Sequence, residues 1–165
     1  AVSSQNNSNQ YTEGGLVRTY SFNGIRWNQI GADLYGDSDY AYYGYSIDLN
    51  QNGRYLSIGG YGKSFNTGYV QSFQYSNGQW TQVAQDIVGS QAGEQLGYSL
   101  DTNNSGSKIV IGANFNNDSY AIAGKAVFYD SGALRVSSTG KVLEDSVGVT
   151  FNEGVNAYIL SLIHI

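Results

Sequence analysis

The sequence contains no cysteine, no proline and no methionine, and its single histidine, His164, is the next-to-last of 165 residues. Disulfides, thiolate metal sites and cysteine nucleophiles are therefore excluded for this chain. A lone histidine at the end of the sequence argues against a Ser-His-Asp triad within the fold. It also argues against a metal site built from several histidines of this chain.

Charge and long apolar runs are also scarce. Only 13% of the residues are charged, and the formal net charge is −5. Nucleic acids require clustered positive charge, so we expect no nucleic-acid partner. No uninterrupted apolar run reaches about 18 residues, so we expect no membrane span, and no signal peptide is recognised within the sequence. Aromatic residues are plentiful, with 15 Tyr, 6 Phe and 2 Trp, which is enough to form a core.

Glycine accounts for 22 residues and recurs at regular positions. A shift of 53 residues, the separation of Trp27 and Trp80, places the first half of the sequence on the second half. Gly44-Tyr45-Ser46 then falls on Gly97-Tyr98-Ser99, and Asp33 falls on Asp86. A third, weaker copy begins at Gly124 and lacks the Trp. The predicted organisation is a connection over 1–14, repeats over 15–67 and 68–123, and a degenerate, truncated repeat over 124–159.

Each repeat has the pattern of short strands joined by turns. In the first repeat, strands are predicted over residues 17–22, 25–30, 45–49 and 55–58, with a longer polar connection over 33–43. Asn-Gly pairs mark the tight turns. The predicted fold class is all-β, with β-propeller blades of four antiparallel strands in an incomplete propeller of about three repeats. A repeated β-sandwich and an open β-solenoid are the alternatives.

The last six residues break the repeat. After Ile159 the pattern predicts a Gly-Gly or Gly-Ala pair, as in Gly59-Gly60 and Gly112-Ala113, but the chain continues Leu-Ser-Leu-Ile-His-Ile. This peptide resembles the in-frame translation of a sequencing adapter, so we interpret 160–165 as a non-native tail in which His164 has no role. A degenerate last strand is the alternative. Because the chain begins and ends within a repeat, further blades of the same chain are expected.

The repeat unit combines Gly-x-Val, Trp-x-Gln, Asp-x-x-Gly, Gly-Tyr-Ser-x-Asp-x-Asn-x-x-Gly and Ile-Gly-Gly/Ala. In this respect residues 1–159 resemble the FG-GAP family, the propeller repeats of integrin-α type. The resemblance implies a propeller in a secreted or cell-surface protein, with a role in adhesion, recognition or scaffolding. It does not specify a ligand.

Two loops carry spaced oxygen side chains of the kind that calcium binds. The candidate ligands are Asp48, Asn50 and Asn52 in the first repeat and Asp101, Asn103 and Ser105 in the second. In calcium-binding members of the family a later Asp completes the loop, and here Leu56 and Ile109 stand at that position. Each loop therefore has one carboxylate, and we expect weak calcium binding or none, with no other cofactor. A plain hairpin turn is the alternative.

Aromatic residues supply the candidate ligand contacts. Tyr40, Tyr42 and Tyr43 are not required by the repeat, so we predict that they and the loop over 3–11 contact a ligand. The alternative is that these tyrosines cover a blade edge. Trp27 and Trp80 could stack on a sugar, but a repeated Trp on a strand is more typical of core packing between blades.

Asp33 and Asp86 could act as a pair of acid and base groups, but a site used once per molecule would not recur in every repeat. We therefore interpret them as turn caps or inter-blade hydrogen-bond acceptors and predict that the chain is not an enzyme. The predicted function is a non-catalytic recognition, adhesion or scaffold module of a secreted or surface protein, with a protein or glycan ligand. The alternatives are scaffold blades of an enzyme whose active site lies elsewhere, and a structural spacer of a surface or viral fibre protein.

Overall fold

The computed structural model describes residues 1–115 and 124–130, and the backbone of residues 148–150. The described chain is all-β and forms three antiparallel sheets. In chain order the strands are β1 (Val2–Ser4), β2 (Leu16–Phe22), β3 (Trp27–Tyr35), β4 (Ser46–Leu49), β5 (Tyr55–Gly60), β6 (Tyr69–Ser76), β7 (Gln79–Gln82), β8 (Ile87–Val88), β9 (Leu96–Thr102), β10 (Lys108–Ala113), β11 (Lys125–Asp130) and β12 (Gly148–Thr150). One helical turn, α1 (Lys63–Asn66), lies between β5 and β6. Most of the predicted third repeat and all of 160–165 lie outside the described residues.

The second and third sheets each combine parts of two sequence repeats. The first sheet has the order β1-β2-β3, and the second has the order β4-β5-β6-β7, with β8 also paired with β6. The third sheet has the order β12-β11-β10-β9. Strands β4 and β5 come from the repeat 15–67, whereas β6 and β7 come from the repeat 68–123. The repeat boundary therefore falls in the middle of a sheet, and the repeats 15–67 and 68–123 each contribute to two sheets.

The 53-residue shift found in the sequence also relates pairs of backbone contacts in the structure. The same backbone contacts occur twice, each pair separated by 53 positions. They include the parallel bridges Gly15–Tyr43 and Gly68–Leu96, the bonds from Tyr45 N to Tyr42 O and from Tyr98 N to Gln95 O, and the bonds from Gly53 N to Asn50 O and from Gly106 N to Asn103 O. The internal repeat is therefore a repeat of three-dimensional structure.

Two predicted boundaries are wrong. The connection 1–14 contains a strand, because Val2–Ser4 pairs with β2 in the same register in which the end of β5 pairs with β6. The polar connection predicted from residue 33 begins later, because β3 continues to Tyr35. A carboxylate is tolerated in this strand since Asp33 accepts hydrogen bonds from Arg18, Gln29 and Tyr35.

Two apolar cores join the three sheets, and the same four repeat positions build both. The first core contains Val17, Tyr43, Leu56 and Ile58, and the second contains their counterparts Val70, Leu96, Ile109 and Ile111. Each of these side chains is at most 1% exposed. Burial of one such side chain contributes about 1.5–3 kcal/mol, so the junctions between sheets supply much of the apolar burial that holds this part of the chain together.

The second and third sheets approach each other through glycine. A Cβ atom on Gly59 would clash with the carbonyl oxygen of Gly97, so no larger residue fits there without a shift of the backbone. The hydroxyl of Ser46 donates a hydrogen bond to the same Gly97 oxygen at 2.7 Å. The recurrent Gly-Tyr-Ser and Ile-Gly motifs therefore meet at the contact between neighbouring sheets.

The two ends of the sheets differ in their connections. Residues 36–45, 61–68 and 89–95 contact one another at one end, here called the long-loop end, where Gly62 N donates to Ala41 O. The tight turns over 50–54 and 103–107 lie at the opposite end, here called the turn end. Among the described residues, no helix has the length and apolar character needed to cross a membrane.

Candidate functional site

Four tyrosines at the long-loop end contact one another through their rings, and we call Tyr42, Tyr45, Tyr61 and Tyr98 the tyrosine surface. The Tyr42 and Tyr61 rings are nearly parallel, with centroids 5.0 Å apart. The Tyr45 ring meets Tyr61 edge-on at 4.6 Å and lies 4.7 Å from Tyr98. All four residues are partly accessible to solvent. The rings therefore form one continuous aromatic surface.

Two of these tyrosines are placed there by the repeat. Tyr45 directly precedes β4, and its counterpart Tyr98 lies near the start of β9 in the neighbouring sheet. A hydrogen bond between the two hydroxyl groups raises the pKa of Tyr45 to about 12. The corresponding residues of adjacent repeats thus touch.

Tyr61 is a residue that the sequence reasoning missed. It directly follows β5, and its counterpart in the second repeat is Asn114, so the repeat does not require a tyrosine there. The same signal that identified Tyr40 and Tyr42, a tyrosine without a counterpart, would have found it.

Tyr42 is fixed at the edge of the surface by Glu13. Its hydroxyl donates to Glu13 Oε2 at 2.8 Å, and its backbone N–H donates to the Glu13 carbonyl oxygen at 3.1 Å. The side-chain hydrogen bond raises the pKa of Tyr42 to about 12. Two bonds to one residue hold both the backbone and the ring, so the ring is preorganised for contact.

Tyr40 and Tyr42 have left-handed backbone angles, with φ of 56° and 50°. The second repeat has the same geometry at Gly93 and Gln95. Glycine adopts this geometry without strain, whereas a bulky residue in it is uncommon and unfavourable. Tyr40 is nevertheless 53% exposed, so about half of its surface gains no burial that could offset that strain. The strained geometry at Tyr40 therefore favours a role for its side chain outside the fold.

The structure removes Tyr43 from the predicted ligand-binding set. Its side chain is fully buried, and its hydroxyl donates to Gln71 Oε1 at 2.8 Å. Its ring stacks on Tyr69 with centroids 5.8 Å apart. Burial raises its pKa well above the ordinary value for tyrosine. The counterpart Leu96 is buried as well, so this repeat position belongs to the core.

The first predicted calcium loop uses its side-chain oxygens internally. Asn50 is buried, and its Oδ1 accepts bonds from the N–H groups of Arg54 and Tyr55. Asn52 Oδ1 also accepts a bond from Arg54 N. Asp48 Oδ2 accepts a bond from Thr102 N in the next sheet. These oxygens face backbone donors, which is the arrangement of a capped hairpin turn.

The second predicted loop has a similar arrangement. Asn103 Oδ1 accepts bonds from Lys108 N and from the Ser105 hydroxyl, and Asp101 is exposed in β9. Within the described ranges, no group of three or more His, Asp or Glu side chains is placed to hold a metal ion. Weak calcium binding or none stays a prediction, and its test is given in the Discussion.

The two tryptophans have different environments. Trp80 is half-buried, and its Nε1–H donates to Thr19 Oγ1 in the first sheet at 2.7 Å, with Gly31 close to the indole ring. Trp27 is 68% exposed and contacts Phe22 at a ring distance of 5.3 Å. The expectation of packing between sheets is confirmed for Trp80 and is wrong for Trp27.

The repeated aspartates are held by internal partners. Asp33 accepts bonds from Arg18 and Gln29, and Asp86 accepts bonds from Gln82 and from Gln71, the counterpart of Arg18. Asp33 lies in β3 of the first sheet and Asp86 directly precedes β8 of the second sheet, and both carboxylates bind the same repeat positions. This is the arrangement of a structural acceptor rather than of a general acid and base acting on one substrate.

Lys63 adds a further link near Asp86. It forms ion pairs with Asp37 and Asp86, and its ammonium lies 4.2 Å from the centre of the Tyr69 ring. Burial acts to lower the pKa of Lys63, but the bonds and charges of Asp37 and Asp86 outweigh it, so the net shift is upward. Lys63 is therefore a charged lysine that ties the connection after β5 to both carboxylates.

Comparison with known proteins finds no protein-family model that matches the chain and no similar curated protein. The candidate site is therefore defined by its geometry: the tyrosine surface, with Tyr40 and Glu13 beside it.

Proposed function

We propose that the chain forms blades of an FG-GAP-type β-propeller and acts as a non-catalytic recognition module that binds a protein or glycan at its long-loop end. The observation that carries the proposal is Tyr42, which has a left-handed backbone and is bound twice to Glu13 at the edge of a partly accessible aromatic surface. Strained residues that the surrounding structure holds in place are typical of ligand sites. The FG-GAP resemblance favours a secreted or cell-surface location.

Support for a propeller comes from the way neighbouring sheets meet. Tyr75 and Trp80 form a ring pair in the second sheet, and Trp80 contacts Thr19 and Gly31 of the first sheet. The first sheet carries the same pair at Phe22 and Trp27, and both of these residues are exposed. In a propeller the same contact between neighbouring sheets is repeated around the axis. A further sheet of the same kind would then cover Phe22 and Trp27. Further blades of the same chain are part of the proposal for this reason.

The position of the tyrosine surface also fits a radial array. The counterparts Tyr45 and Tyr98 touch each other, as equivalent residues do when they lie near a common axis. Tyrosine supplies a large, rigid contact area at low cost in conformational entropy, which makes it suited to recognition surfaces.

The test is ligand capture by the full chain on glycan arrays and from surface-protein pools. The double variant Tyr40→Ala with Tyr42→Ala is expected to weaken binding about tenfold or more, the effect of losing 1.4 kcal/mol or more of binding energy. Tyr20→Ala is the matched control, because Tyr20 is a half-buried tyrosine within β2. Equal binding by both variants would contradict the proposed site.

A further inference from the structure

We infer that the tyrosine surface binds a neutral oligosaccharide. This inference rests on the proposed function and narrows its ligand to one chemical class. Three features favour such a ligand: the extent of the aromatic surface, the backbone N–H groups around it that are already hydrogen-bonded, and the charge at its edge.

The tyrosine surface is long enough to contact several sugar residues, through the ring faces and edges that the stacked Tyr42–Tyr61 pair and the edge-on Tyr45 leave accessible. Neighbouring centroids along the series Tyr42, Tyr61, Tyr45 and Tyr98 are 4.6–5.0 Å apart. The negative face of an aromatic ring attracts positively polarised hydrogen atoms, and one face of a pyranose presents such C–H groups. Four joined rings extend beyond a single sugar, so the expected ligand is an oligosaccharide.

The backbone around the surface is not available to an extended peptide. The N–H groups of Tyr40, Tyr42, Tyr45 and Gly62 all donate to carbonyl oxygens of this chain, and so does Tyr98 N. Peptides that bind by strand addition need a row of unpaired backbone groups. The surface presents rings and side-chain polar atoms in place of such a row, which favours a ligand that stacks and donates hydroxyl bonds.

The charge at the edge favours a neutral ligand. Glu13 Oε2 accepts the hydrogen bond from the Tyr42 hydroxyl. No donor among the described residues bonds to Glu13 Oε1, so this oxygen can accept a hydrogen bond from a sugar hydroxyl. The nearby cation Lys63 is already paired with Asp37 and Asp86, and the whole chain has a net charge of −5. Sulfated and uronic-acid sugars would be repelled by this field.

The experiment is a titration of the full chain with cellohexaose, mannohexaose and N-acetylated chitohexaose, followed by calorimetry and by NMR. A heparin-derived hexasaccharide is the anionic comparison. At least one neutral hexasaccharide is expected to bind saturably, with Tyr42→Ala weakening it about tenfold or more. Glu13→Gln should weaken it several-fold, and Tyr20→Ala should leave it unchanged.

Tyr42→Phe guards against a folding artefact, because it keeps the ring and removes only the hydroxyl bond to Glu13. It is expected to retain most of the binding that Tyr42→Ala loses, and to lower the melting temperature only by the loss of one hydrogen bond. If only the heparin hexasaccharide binds, or binding is indifferent to Tyr42, the inference is overturned. If the neutral sugars fail while a protein ligand is captured through Tyr40 and Tyr42, the sugar is wrong and the proposed function stands. If neither class binds, both fail.

Discussion

Asp48 in β4 accepts a hydrogen bond from the backbone N–H of Thr102 in β9, with 2.8 Å between Asp48 Oδ2 and Thr102 N. This bond crosses from the second sheet to the third. Two further bonds run beside it, from the Thr102 hydroxyl to Ser57 and from Asn50 Nδ2 to the carbonyl oxygen of Asn104. The Asp-x-Asn motif therefore joins neighbouring sheets at the turn end.

This arrangement predicts how the protein responds to calcium and to loss of Asp48. We expect millimolar calcium to leave the melting temperature unchanged, because the candidate ligands already bind internal donors. Asp48→Ala should lower the free energy of unfolding by about 1.5–3 kcal/mol without calcium, whereas Asp48→Asn keeps an acceptor oxygen and should cost less. Thermal unfolding with and without calcium checks both. A calcium-dependent rise that disappears in Asp48→Asn would show that the loop binds the ion.

The two tryptophans provide a second prediction, since they share a motif and differ in environment. Trp80→Phe removes the bond to Thr19 and should lower the free energy of unfolding by about 1 kcal/mol. Trp27→Phe should change it by less than about 0.5 kcal/mol, because Trp27 is exposed. Each variant leaves one tryptophan, so acrylamide quenching reports that residue alone. Trp27 fluorescence should be quenched strongly and Trp80 fluorescence weakly, and equal quenching would contradict the junction described above.

Glu94 and Lys125 form a buried ion pair beside the core between the second and third sheets. The corresponding positions beside the core between the first and second sheets make apolar contacts. Glu94 is 1% and the Lys125 side chain 7% exposed, with 3.6 Å between Glu94 Oε1 and Lys125 Nζ. Their counterparts, matched by repeat position and strand register, are Ala41 and Tyr69, and both of those are fully buried in the first core.

Glu94→Ala removes the carboxylate that faces Lys125 and should cost about 3–5 kcal/mol, as expected when one partner of a buried pair is lost. The double variant Glu94→Ala with Lys125→Tyr recreates the residues of the first junction and should recover most of that loss. Chemical unfolding of the two single variants and the double variant measures the coupling. Additive losses would show that the two junctions are not interchangeable.

Acid should destabilise the protein through its repeated aspartates. The hydrogen bond from Arg18 holds the pKa of Asp33 well below its usual range. Burial acts to raise the pKa of Asp86, but bonds from Gln71, Gln82 and Lys63 outweigh it and the net shift is downward. Since the unfolded carboxyl groups titrate near pH 4, the unfolded state binds more protons below that pH. Stability is therefore full above about pH 4 and falls as the pH drops through the folded-state values.

Arg18→Gln tests the source of this effect. It gives Asp33 the partner that Asp86 has in Gln71, so a hydrogen bond remains and the positive charge is lost. The fall of the melting temperature between about pH 4 and pH 2 should become shallower in Arg18→Gln and in Asp33→Asn. An acid limb unchanged in both variants would mean that other carboxyl groups cause it.

The sequence predicted the repeat and most strands because the signals for both are local. Alternating side chains and Asn-Gly turns define strands over a few residues, and the matched glycines fixed the 53-residue register that the hydrogen bonds confirm. The extension of β3 through Asp33 was missed because it depends on the ion pair with Arg18, a residue of another strand. The part of the candidate site at Tyr40 and Tyr42 was named from the sequence, whereas Tyr61 was found only in the structure.

The amino-acid sequence alone determined the all-β class, the period of the repeat and the absence of cysteine. The tertiary structure decided which residues are buried among those that the sequence pattern could not distinguish. Tyr42 lies on the surface and its neighbour Tyr43 in the core, Trp80 is covered and Trp27 is exposed, and Asp48 binds a donor 54 positions later. The physical reason is that burial and hydrogen bonding at these positions come from a neighbouring sheet, whose distance and orientation no local pattern encodes.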